Sequence, residues 1–147
     1  MKKIILLLLL SLSAFAQNPE SHPVENLVFE GAGIRGIAYS GVIKELESHG
    51  MMGGVRKVGG TSAGAITAMM VSLGYNSQEI YAIISETKFQ KFNDGELMFA
   101  GGLYRLCRRF GWYRGDAFTH WVEKIIAAKT GNSDITFRQL GEKGFKQ

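Results

Sequence analysis

Residues 59 to 64 read Gly-Gly-Thr-Ser-Ala-Gly, and within them Gly60, Ser62 and Gly64 form a GxSxG pattern. This spacing suits a nucleophilic serine. On a sharp strand-to-helix turn, large side chains two residues either side of the serine would clash, so Gly60 and Gly64 have a steric reason to be there. Thr61 completes the turn, and Ser62 falls at a helix N-terminus where the N–H of Ala63 is placed to donate to a developing oxyanion. Glycine and serine also build ordinary turns and helix starts, so the pattern needs a partner.

A second glycine cluster precedes it. Gly31, Gly33 and Gly36 lie in "VFEGAGIRGIAYSG", residues 28 to 41, where a short apolar run enters a loop and a helical pattern leaves it. As a bare GxGxxG this loop could cradle a dinucleotide pyrophosphate, and a nucleotide-binding α/β protein is one alternative. That function requires an acid about 20 residues further on to hold the ribose hydroxyls. The corresponding region, "MMGGVRKVGG", contains none. A serine elbow follows at the end of the next strand instead, so the loop is better suited to holding a substrate oxyanion.

These residues need elements to position them. "NLVFE", from Asn26, reads as a buried strand, and "VRKVGG" at 55 to 60 as a second. Tyr39, Val42, Ile43 and Leu46 recur at i, i+3, i+4 and i+7, giving a helix with one buried face that stops at Gly50. "TSAGAITAMMVSLG" runs as a small-residue helix closed by Gly74. Ser77 is expected to cap a third helix bearing Ile80, Ile83 and Ile84, and Asp116 a fourth bearing Phe118, Trp121, Val122 and Ile125. Strand, tight turn and helix occur twice, which implies an α/β layered fold with parallel strands. Neighbouring parallel strands would bring the glycine loop and Ser62 to one carboxyl edge. Only "DITF" at 134 to 137 suggests a third strand. So few strands imply that the chain stops partway through a larger domain, the alternative being a small complete helical domain.

The 147 residues suffice for one domain. "MKKIILLLLLSLSAFA", residues 1 to 16, has a basic start, an apolar centre and an Ala14-Phe15-Ala16 ending, the form of a secretory signal peptide rather than a membrane span. Export follows, to a periplasmic, outer-membrane-associated or secreted location. Residues 17 to 25, with both prolines, read as a flexible leader, and the ordered domain as 26 to 147. The formal charge of +4 includes Lys2 and Lys3, so the processed chain is only mildly basic and nucleic acid is not indicated. His22, His49 and His120 have no ligand spacing, so no metal site is expected. The single Cys107 reads as either a reactive leftover thiol or, the favoured reading, a small buried apolar residue.

Together "GAGIRG" and "GTSAG" resemble the patatin-like phospholipases, whose pattern is a GGGxRG-type oxyanion loop, then GxSxG, then a much later Asp-Gly-Gly or Asp-Gly-Ala. "GWYRGDAFTHWVEKIIAAKTGNSDITF" also resembles that family's middle region. The resemblance implies a three-layer α/β/α fold with a mainly parallel sheet, here truncated, and hydrolysis of lipid acyl esters by a Ser/Asp dyad without a cofactor. It implies Ser62 as nucleophile and Gly31, Ala32, Gly33, Ile34, Arg35 and Gly36 as oxyanion loop. Ala32 stands where the family has glycine. The base has no counterpart among Asp94, Asp116 and Asp134; "DGE" at 94 to 96 resembles the motif but lies too early, between helices. Without a base the chain alone should be nearly inactive, and a non-catalytic remnant is a further alternative. Arg35 suits either a substrate phosphate or the loop's own carbonyls, the latter being favoured. Residues 103 to 115 interleave Tyr104, Phe110, Trp112 and Tyr113 with four arginines, which suits a lipid surface or a solvated helix edge.

Overall fold

The computed structural model describes residues 23–94, 98–111 and 113–145. The signal-peptide assignment, most of the leader and Trp112 lie outside the described residues. Two strands, β1 (Asn26–Phe29) and β2 (Lys57–Gly60), pair in parallel, with Phe29 opposite Gly60 in the register. The crossover between them is a 3₁₀ turn (Gly33–Ile37) followed by helix α1 (Ala38–Ser48). Helices α2 (Ala63–Ser72), α3 (Ser77–Glu86), α4 (Met98–Arg109), α5 (Asp116–Thr130) and α6 (Phe137–Glu142) follow. The fold class is α/β with a parallel sheet, as the strand-turn-helix repetition suggested.

Alternation sets the two faces of β1. Phe29 points into the core, whereas Val28 on the other face is 83% exposed. The core joins Phe29 to Ile43 of α1, Met70 and Val71 of α2, Leu73, and Ile80 of α3. Helix α2 is small and apolar nearly all round because it is the element enclosed by the others. On α1, Ile43 is fully buried but Val42 is 50% exposed, so the buried stripe is narrower than the spacing implied. Tyr39 ties α1 to the end of β1. Its ring meets Phe29 edge-on at 5.2 Å and its hydroxyl donates to the Glu30 carbonyl at 2.9 Å.

Two helix caps differ from expectation. Asn76, not Ser77, caps α3: its side chain accepts from Glu79 N–H, and the Glu79 carboxylate accepts from Asn76 N–H, both at 2.9 Å. Ser77 instead donates from its N–H and hydroxyl to Glu47, at 3.0 and 2.5 Å, joining α3 to α1. Lys129 then donates to Glu79 at 2.8 Å and lies 4.5 Å from the Tyr75 ring centre, fastening α5 to the same corner. The hydrogen bond from Lys129 is the main reason the Glu79 carboxyl is held below its ordinary range.

Helix α5 is capped by a residue distant in sequence. Gly115 occupies the cap position, Asp116 pairs with Arg114 at 2.8 Å, and Asp94 accepts from the N–H groups of Gly115 and Ala117, both at 2.8 Å. These backbone donors, Ala117 first, hold the Asp94 carboxyl below its ordinary range. A carboxyl depressed on folding contributes stability above its unfolded pKa, and that contribution is lost as pH falls through the folded value. Asp94→Ala is therefore expected to lower the melting midpoint at neutral pH, with the deficit shrinking on acidification. Hydrogen exchange should speed up at Ala117. An unchanged exchange rate there would dismiss the cap.

"DITF" is not a strand. Thr136 and Gln139 form a capping box that starts α6, because the threonine hydroxyl satisfies a first-turn N–H. Cys107 is exposed on α4, contrary to the buried reading. Among the described residues no helix is long and apolar enough to cross a membrane.

Candidate active site

The parallel register decides what meets what. Since Phe29 and Gly60 are partners, the loop after β1 and the turn after β2 leave the same sheet edge side by side. Thr61 extends the ladder by one bond, donating to the Phe29 carbonyl at 3.1 Å. The chain then reverses at Ser62, whose φ of 50° and ψ of −125° place it in a region that L-residues seldom occupy. Such a conformation costs about 1–3 kcal/mol and persists only where neighbours over-determine it. Those neighbours are the flanking glycines. A Cβ on Gly60 would lie 2.4 Å from the carbonyl carbon and oxygen of Gly64, and one on Gly64 would lie 2.3 Å from the Phe29 carbonyl oxygen.

The glycine loop lies directly against this turn. A Cβ on Gly31 would meet the Ser62 Cβ at 3.3 Å, and one on Gly36 would meet the Ala63 Cβ at 2.8 Å. A small recess of about 40 Å³ is lined by Gly33, Ile34 and Gly36 on one side and Ala63 and Ile66 on the other. Ala32 has an ordinary φ of −128° and its carbonyl accepts from Arg35 N–H at 3.1 Å, so alanine is unstrained where the related pattern has glycine. Gly33, by contrast, has a φ of +53°. Among the described residues the N–H groups of Gly33, Ile34 and Ala63 have no acceptor. Gly33 and Ala63 each begin a helical turn, whose first N–H groups lack intrahelical partners.

Ser62 is exposed and its hydroxyl has no hydrogen-bond partner among the described residues. No described Asp, Glu or His bonds to it. Asp94 is committed to the α5 cap, Asp116 to Arg114, and His120 faces Glu123 at 3.5 Å. The Arg35 side chain is exposed and makes no hydrogen bond or ion pair among the described residues, so the guanidinium does not hold the loop through carbonyls as expected. Beside Ser62 lies a cleft of about 520 Å³ lined by Ala65, Ile66 and Met69 of α2 and by Phe118 and Val122 of α5. Phe118 in turn stacks in an aromatic cluster with Phe92 and Trp121, at 5.4 and 5.9 Å. Periodicity alone marks Phe118 and Val122 as an apolar helix face; only the packing of α5 beside α2 brings them to the serine. Another apolar cavity, about 440 Å³ along β2 and Leu140, does not reach Ser62. Among the described residues no His, Cys, Asp and Glu cluster could hold a metal.

In place of the acid that a dinucleotide site needs, the end of β2 presents Gly60, Thr61 and an outward serine, with unpaired N–H groups around it. The arrangement sets an accessible hydroxyl beside a glycine loop with unbonded N–H groups and an apolar cleft, features that acyl transfer uses on its nucleophile side.

The patatin-like phospholipase family matches residues 27–145 of this chain. The uncharacterized protein YqhO of Bacillus subtilis is 37% identical over 106 residues, which cover 69% of this chain and 36% of YqhO. Lysophospholipase NTE1 of Candida albicans is 39% identical over 71 residues, 48% of this chain and 5% of that protein. Among solved structures, VipD from Legionella pneumophila superposes with a TM-score of 0.59 at 28% identity, over 74% of this chain and 17% of VipD. The chain thus spans little more than a third of YqhO and much less of the other two.

Proposed function

Because the chain belongs to the patatin-like phospholipase family, we propose that it carries the nucleophile side of an exported lipid acyl hydrolase. The observation that carries this reading is the strained, outward Ser62 at the strand end, pressed against a glycine loop with free N–H groups. The Ser62 oxygen attacks the ester carbonyl carbon and its proton passes to a base. The carbonyl oxygen, now negative, is held by Ala63 N–H and by the loop of Gly31 to Gly36, through Gly33 and Ile34 N–H. Collapse expels the lipid alcohol with a proton, and water then releases the fatty acid from Ser62. The acyl chain lies in the cleft between Met69 and Phe118, where apolar walls replace water.

No aspartate of this chain bonds Ser62; the base in this reading is an aspartate, as the Ser/Asp dyad of the resemblance implies. Residues 1 to 16 direct export. Phospholipids and related lipid esters are the substrate class, and no cofactor is used.

A fluorophosphonate probe tests the reading, since it reports a nucleophilic serine without requiring turnover. The adduct is expected on the peptide containing Ser62, formed slowly. With no carboxylate base nearby, its rate should rise about tenfold per pH unit across roughly pH 6 to 9, following hydroxide. A plateau beginning in the carboxylate range would mean that a base lies within the chain. No adduct at all would favour a non-catalytic remnant, and saturable binding of NAD or FAD would favour the nucleotide alternative.

A further inference from the structure

Helix α5 borders two cavities with two different sides. Phe118 and Val122 face the Ser62 cleft. Trp121, Ile125 and Ala128, at i, i+4 and i+7, instead line a separate groove of about 420 Å³, within the usual size of small-molecule sites. Ile83 of α3 and Thr87 at its C-cap lie across from them. The two sides are joined by hydrogen bonds. Trp121 Nε1 donates to the Thr87 hydroxyl at 3.1 Å, and that hydroxyl donates to the Ile83 carbonyl at 2.5 Å. The groove is therefore mostly apolar, with the indole N–H already satisfied.

Its border is cationic. Lys88 and Lys91 belong to the 3₁₀ turn of Phe89–Phe92 and the residue before it, and Phe92 of that turn borders the groove and meets the Trp121 ring at 5.4 Å. Lys124 stands one residue before Ile125 on α5. All three lysines are exposed, and their side chains make no hydrogen bond or ion pair among the described residues, whereas Lys129 is paired with Glu79. Glu86 is the one acid among the lining residues, and it pairs with none of the three lysines. An apolar slot bordered by unpaired ammonium groups is matched by a molecule with one apolar chain and one negative end.

We propose that this groove binds a free fatty acid, its chain along Trp121, Ile125 and Ile83 and its carboxylate among Lys88, Lys91 and Lys124. Charge and cavity define the ligand class by themselves; the lipid-hydrolase reading adds only that such a molecule would be released at Ser62, in the neighbouring cleft. The lysine stems cover part of the apolar wall while their ammonium groups stay at the border, where they meet the carboxylate without being stripped of water. The two cavities share one partition. Phe92 and Trp121, which border the groove, both contact the Phe118 ring that walls the cleft, at 5.4 and 5.9 Å.

Trp121 provides a local probe. The chain has two tryptophans, so Trp112→Phe leaves Trp121 alone. Titration of that full-length variant at pH 8 with dodecanoate, below its micelle concentration, should shift the emission to shorter wavelength and saturate. Dodecanol, with the same chain and no charge, should need about tenfold more, and high salt should narrow the gap. Lys91→Glu and Lys124→Glu should each raise the half-saturation point about fivefold, and Glu86→Gln should lower it. These side chains are exposed, and circular dichroism checks that the variants fold. None of the three lysines borders the Ser62 cleft. Equal half-saturation in both lysine variants would therefore put the chain in that cleft or elsewhere and overturn the proposal. Equal response to dodecanol and dodecanoate would overturn the carboxylate assignment, and a shift that never saturates would mean non-specific adsorption. Emission is read without turnover, and Ser62→Ala should bind dodecanoate as its parent does, so this result and fluorophosphonate labelling of Ser62 can fail separately.

Discussion

Ser62→Ala and Ser62→Gly are both expected to abolish fluorophosphonate labelling completely, yet to differ in stability. Both lack the hydroxyl. Alanine keeps the Cβ and therefore keeps the strain of φ 50° and ψ −125°. Glycine occupies that region freely, which relieves about 1–3 kcal/mol, against about 0.5–1 kcal/mol of extra chain entropy lost on folding. The glycine variant should therefore be about 1 kcal/mol more stable than the alanine variant, a rise of roughly 3 °C in the melting midpoint. A serine conserving its strain at such a cost is the expected trade of stability for reactivity at a functional turn. Equal midpoints for the two variants would mean that the turn is not strained in solution. Residual labelling in either would place the nucleophile elsewhere.

Gly64→Ala is expected to have the largest effect on folding. The added methyl would lie 2.3 Å from the Phe29 carbonyl oxygen and 2.5 Å from that of Glu30. Both are backbone atoms at the end of a paired strand, so neither can swing away. The cost should reach about 3 kcal/mol or more, a large part of the stability of a domain this size. Gly41→Ala, in the middle of α1, provides the contrast. Nothing lies within 4 Å of a Cβ there, and alanine should stabilise the helix by about 1 kcal/mol. Urea denaturation of the two variants measures both. If Gly64→Ala unfolded at the parent's midpoint, the close approach of α2 to β1 would be wrong.

These two glycines show where sequence reasoning reaches and where it stops. Gly64 is legible from GxSxG, because the motif states its own steric requirement. The partner in the clash is not legible, since β1 and α2 are more than 30 residues apart and meet only when the strands pair in register. Caps follow the same division. A capping box such as Thr136 with Gln139 is local, and overlooking it led to the strand reading of "DITF". The cap of α5 by Asp94 spans more than 20 residues, and no local pattern announces it. Asp94, set aside as a base because of its place in the chain, has a structural use instead.

By itself the sequence determined the strand-turn-helix repetition, the glycine loop, the elbow and hence the candidate nucleophile, because each depends on backbone conformations that few residue types can adopt over a few consecutive positions. Tertiary structure decided the rest: that the two loops share an edge, that α5 walls the cleft, and that α4 turns Leu103 and Leu106 to solvent. Those facts depend on contacts between distant segments, and a periodic apolar stripe has the same spacing whether it faces a core or remains uncovered.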